Sequence, residues 1–138
     1  MFNVSKNKRD RSAENTGAWM RYDDDCSFLV ARNNNPAYKK HISKSLRESA
    51  TLNEGAASNE VLADSLTDQQ MLEGTAYYLL LGWKGVFDGK KELAYSPEAS
   101  LALLDEYDEL AAQINVFATS RDNYLLKKDK KDAKNLKK

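Results

Sequence analysis

Side chains able to do covalent or metal chemistry are few and scattered in this sequence. His41 is the single histidine and Cys26 the single cysteine. A catalytic histidine needs a nucleophile or carboxylate to exchange protons with, and a zinc-binding one needs further nitrogen or sulfur ligands. Neither set can be assembled from one histidine and one cysteine, and His41 reads as a helix-surface residue. A lone cysteine also rules out an intramolecular disulfide, which agrees with a reducing compartment. Asp23-Asp24-Asp25 invites a calcium reading, but a calcium loop spaces its oxygens at alternate positions, bends at a glycine and ends in a glutamate. That pattern does not follow the three aspartates, which read as a solvated turn.

Two further groups suit protein recognition better than catalysis. Asp105, Asp108 and Glu109 fall on one helix face and, with Glu106, alternate with Leu104, Tyr107 and Ala111. This is the wet side of an amphipathic helix, and it can double as an acidic docking surface. Trp83, Phe87 and Tyr95 surround a glycine-rich stretch that lacks either phosphate-binding glycine pattern. These aromatics either plug the loop onto the helices or offer anchors to a partner, since Trp and Tyr concentrate at binding hot spots. Trp19 and Tyr22 carry the same two readings. The candidate partner-binding residues are therefore Trp19, Tyr22, Trp83, Phe87, Tyr95, Asp105, Asp108 and Glu109. No residue is assigned to catalysis, a cofactor or a metal, and the missing toolkit argues against an enzyme.

The elements that must position these residues follow from periodicity and turn chemistry. Residues 1–16 are polar and aperiodic and read as a flexible tail. Residues 17–22 (GAWMRY) and 27–32 (SFLVAR) read as the strands of a short hairpin closed by the aspartates. Asn35 and Pro36 start a helix carrying Tyr38, Ile42 and Leu46 at spacing four, with Gly55 at its end. A second helical stretch spans about 58–81 and bends near a Thr67–Gln70 capping box. Its stripe includes Met71, Leu72, Thr75, Ala76, Leu79 and Leu80, and Gly82 stops it. Residues 82–95 form a compact loop or small hairpin around Asp88-Gly89. Ser96-Pro97-Glu98 opens a last helix reaching about residue 125, with an interruption near Tyr107-Asp108. The expected fold is a single mainly helical domain over 17–126, with a short N-terminal hairpin and a lysine-rich, disordered tail at 127–138.

Charge is unevenly placed. Equal numbers of acidic and basic residues hide a net of −7 over 17–126 between basic ends of +2 and +5. The acidic body argues against nucleic acid, although the terminal lysines keep a nucleic-acid-binding or regulatory role as the alternative function. The apolar run Tyr77–Leu81 is far short of a membrane span, so no membrane partner is expected.

Two blocks in this order resemble phage tail assembly chaperones. The first is Gly17–Tyr22 followed by Phe28–Tyr38, where Ala31-Arg32 and the asparagines lead into a helix. The second is Leu80–Val86 (LLGWKGV), Asp88–Lys90 and Tyr95–Glu98 (YSPE), with Leu103-Leu104 beyond. The resemblance covers about 17–120 and leaves out both basic ends. It implies a protein of the host cytoplasm, absent from the mature virion, that binds the tape measure and tail tube proteins and restrains their premature polymerisation. Self-association along a long client fits that role. The resemblance also implies a longer product made by programmed frameshifting, for which the Lys137-Lys138 codons could supply a slippery sequence.

Overall fold

The computed structural model describes residues 2–4, 7–52 and 66–126. Strands β1 (Ala18–Arg21) and β2 (Ser27–Val30) pair antiparallel, with Ala18 opposite Val30 and Arg21 opposite Ser27. The aspartates close the hairpin. Tyr22 and Asp23 donate their backbone N–H to Cys26 O at 3.0 and 3.2 Å. The Asp23 side chain accepts from Asp25 N at 2.9 Å, a local turn bond that aspartate is suited to make.

The domain is mixed α/β, which overturns the mainly helical expectation. Residues 80–84 do not end a helix; they form β3 (Leu80–Lys84), which pairs antiparallel with β2 in a three-stranded sheet ordered β1-β2-β3. A second, two-stranded sheet joins β4 (Phe87–Asp88) to β5 (Lys91–Glu92). Its turn starts at Gly89, whose φ of +64° suits the first central position of a tight hairpin. The misreading of 80–81 has a physical cause. Leu79 and Leu80 continue the helical stripe, but a short apolar run fits a buried strand equally well. The β2 edge supplies hydrogen bonds that a further helical turn would forgo.

Three helix starts are built as their sequences require. Asn35 accepts from Tyr38 N at 2.9 Å to cap α2 (Pro36–Leu52). Thr67 and Gln70 form a reciprocal capping box on α3 (Asp68–Gly74). Ser96 accepts from Ala99 N at 3.0 Å and caps α4 (Pro97–Glu106). The helical run breaks at Tyr107, and α5 (Asp108–Thr119) leads to a short 3₁₀ turn at Arg121–Tyr124.

The passage from α3 to β3 is the centre of the fold. Thr75–Leu79 widen into a π-helical turn, and Leu80 N bonds back to Thr75 O. The carbonyls that the ending helix leaves open are then taken by other elements. Ser100 donates its hydroxyl to Ala76 O at 2.7 Å, and Asn35 Nδ2 donates to Tyr78 O at 3.2 Å. Ala31 N donates to Leu79 O at 2.8 Å, and the Tyr95 hydroxyl donates to Leu80 O at 2.6 Å. A buried carbonyl without such a partner would cost about 1–3 kcal/mol. Around this joint Val30, Leu79, Leu80, Leu104 and Ile114 are fully buried.

Within residues 1–16, read as aperiodic, the structure builds helix α1 (Arg11–Thr16), capped by Asp10. Glu14 is buried there between Arg9 at 3.2 Å and Arg32 at 2.5 Å. Asp10 N donates to Tyr124 O and Leu126 N to Lys8 O, which ties the stretch before α1 to residues 124–126. The expected helix over 58–65, the Gly55 stop and the lysine-rich stretch 127–138 lie outside the described residues.

Candidate interaction cleft

The hairpin turn and the α4–α5 joint face each other across an apolar cleft of about 220 Å³. Phe28, Cys26 and Val86 form its buried floor, and Leu103, Leu110, Gln113 and Glu109 its helical wall. Tyr22 and Tyr107 stand at the mouth, 57% and 54% exposed. Tyr22 meets Phe28 edge to face at 6.0 Å. Tyr107 is positioned by the helix break: its backbone leaves the helical region (φ −118°, ψ 78°) while its N–H still bonds Leu103 O.

Gly85 sets the spacing of this cleft. With φ at +74°, its α-carbon lies against the hairpin turn, and a β-carbon there would come within 1.8 Å of Asp25 O. Only glycine tolerates that approach. The contact holds Val86 in the cleft floor. Trp83 and Tyr95 brace the loop from behind. Their rings pack edge to face at 5.0 Å, and Trp83 Nε1 donates to Leu93 O at 2.8 Å.

Burial, reinforced by the Asp23 carboxylate, raises the pKa of the Cys26 thiol. A nucleophilic or ligating cysteine needs its pKa lowered, so this thiol is not activated. Among the described residues no three His, Cys, Asp or Glu side chains are grouped to hold a metal ion, and no helix is long and apolar enough to cross a membrane. His41, read from sequence as a helix-surface residue, lies on α2. It is half-buried, stacks against Tyr78 at 5.1 Å, and its Nε2 bonds Gln70 O at 2.9 Å.

The residues singled out from sequence are dispersed. Tyr22 and Glu109 line the cleft, whereas Asp105 and Asp108 are exposed near the end of α4 and at the start of α5 without lining it. Trp83 and Tyr95 are built into the fold through the bonds above. Phe87 is 56% exposed on β4. Trp19 lies apart, on the outer face of the sheet, with Lys84 Nζ 4.1 Å above its ring. It lines a separate groove with Asp10, Phe117 and Leu125. Tyr107, Leu103, Leu110, Val86 and Cys26 are cleft residues that the sequence reading left out. Periodicity had placed Tyr107 on the buried stripe. The interruption at Tyr107-Asp108 was the signal that could have found it, because a break rotates a residue out of phase.

Fold and cleft together define a small α/β protein with an apolar, tyrosine-rimmed cleft on its surface. The profile of the YdaY prophage protein family matches residues 33–135, and the chain belongs to that family and is phage-derived. The match begins just before α2, so Tyr22, Cys26 and Phe28 of the cleft precede it. No curated protein and no solved structure shows significant similarity.

Proposed function

We propose that this phage-derived protein is a protein-binding module of tail morphogenesis, a tail assembly chaperone that holds tape measure and tail tube proteins until they are built into the tail. The observation carrying the reading is the cleft, with its apolar floor and its two half-exposed tyrosines. Large rigid aromatics beside a desolvated pocket supply binding energy at small entropic cost. The order of the two sequence blocks at 17–38 and 80–104 supports the tail assignment. The physical logic is competition. A tube subunit exposes strand edges that invite polymerisation, and a long helical tape measure exposes apolar stripes. A binder that covers either keeps it soluble until the correct partner arrives.

Co-expression with the tape measure protein of the same phage tests this. The chain should raise the soluble yield of that protein and co-elute with it on size exclusion, and Tyr107→Ser should weaken the complex without lowering the melting temperature. No complex and no gain in solubility would refute the assignment.

A further inference from the structure

Resting on the protein-binding reading, we infer that the cleft accepts a peptide segment that inserts a large apolar side chain between Tyr22 and Tyr107 and carries lysine or arginine beside it. Size argues first. Small-molecule sites usually measure about 300–1,000 Å³. At about 220 Å³ this cleft suits a side-chain anchor rather than a cofactor. Lining chemistry argues next. Phe28, Val86, Leu103 and Leu110 offer the anchor an apolar seat, and Gln113 and Glu109 are the polar wall groups.

Charge then selects the flanks. Exposed carboxylates adjoin the lining residues in sequence: Asp23-Asp24-Asp25 lie between Tyr22 and Cys26, Asp105, Glu106 and Asp108 flank Tyr107, and Glu109 itself lines the cleft. Arg21 is the cation nearest in sequence to the turn, and it is already paired with Asp24. None of the described residues lining the cleft is lysine or arginine. An anionic rim around an apolar seat attracts a basic segment and repels an acidic one.

The test uses the full chain and fluorescent synthetic peptides with a central phenylalanine flanked by lysines, by glutamates or by alanines. Cys26, the single cysteine and part of the floor, reports occupancy through its alkylation rate. The lysine-flanked peptide should bind best, slow alkylation of Cys26 and lose affinity as salt rises. The double variant D108K/E109K should bind it about tenfold more weakly and gain affinity for the glutamate-flanked peptide. Should the reversal unfold α5, D108N/E109Q should still weaken lysine-peptide binding about threefold.

Equal affinity for lysine and glutamate peptides, or no change in the charge variants, would overturn the basic-segment inference. A complex with the tape measure protein could persist in that case, so the two readings fail separately. Salt-sensitive protection of Cys26 without any peptide would assign the cleft to the chain's own lysines and overturn it too.

Discussion

Arg32 Nη1 lies 2.5 Å from the Glu14 carboxylate, and both side chains are largely withdrawn from water. The pair joins α1 to the segment between β2 and α2, and Arg32 N also bonds Glu14 O at 2.8 Å. Arg32 Nε is buried with no partner, so the guanidinium depends on Glu14 for its compensation. Removing one member of such a pair leaves a charge stranded in a poorly solvated site. Glu14→Leu should therefore cost about 3–5 kcal/mol in urea unfolding. Glu14→Leu with Arg32→Met should cost clearly less than the sum of the single changes. Additive losses would show that the two residues are not coupled.

Two glycines with positive φ should behave differently. Gly85→Ala drives a β-carbon into Asp25 O, so backbone must move, and the loss should exceed about 2 kcal/mol. Gly89→Ala meets nothing within 4 Å and bears only the left-handed backbone penalty, about 1–2 kcal/mol. Thermal melts of both variants decide the order. Equal destabilisation would remove Gly85 as the spacer of the cleft.

Ser100 is fully buried, and its hydroxyl occupies Ala76 O. Ser100→Ala changes little volume but leaves that carbonyl open. Chemical denaturation should show a loss of about 1–3 kcal/mol, and amide exchange should quicken across 75–80. A neutral effect would mean that water replaces the hydroxyl.

Tyr124 is buried, its hydroxyl donates to Val30 O at 3.0 Å, and burial holds its pKa far above the ordinary value. Burial also raises Tyr38 and Tyr95. In the unfolded chain these phenols ionise near pH 10. Below that, both states keep their protons and the tyrosines add no pH dependence. Above it the unfolded state sheds protons that the folded state retains, so stability falls as pH rises. Unfolding free energies from pH 8 to 11 should decline gently at first, as the unfolded Cys26 thiol ionises ahead of the folded one, and more steeply once the phenols titrate. Tyr124→Phe should start lower, having lost a hydrogen bond, and decline less steeply. Parallel curves for the two proteins would exclude Tyr124 from the effect.

The features legible in the sequence are those closed within a few residues. Asn35, Thr67 and Ser96 cap helices through bonds to the third residue on, and the turn at Asp88-Gly89 is equally local. Such bonds depend on neighbours that the sequence displays. What escaped was settled at long range. Leu80 becomes a strand residue because Val30 lies beside it, and α1 is held by Arg32 and Tyr124 rather than by an apolar stripe of its own. The cleft was half visible: Tyr22 and Glu109 were among the residues singled out, whereas Val86 and Tyr107 reach it only through Gly85 and the helix break.

The pairing of Lys8–Asp10 with Tyr124–Leu126 has a consequence for biosynthesis. A ribosome delivers residue 8 early and residue 126 more than a hundred positions later. Until then α1 has Arg32 but lacks its second anchor, and the stretch before it stays unfastened in the nascent chain. Closure therefore waits until residues 124–126 have been made, and removing them should loosen the stretch before α1.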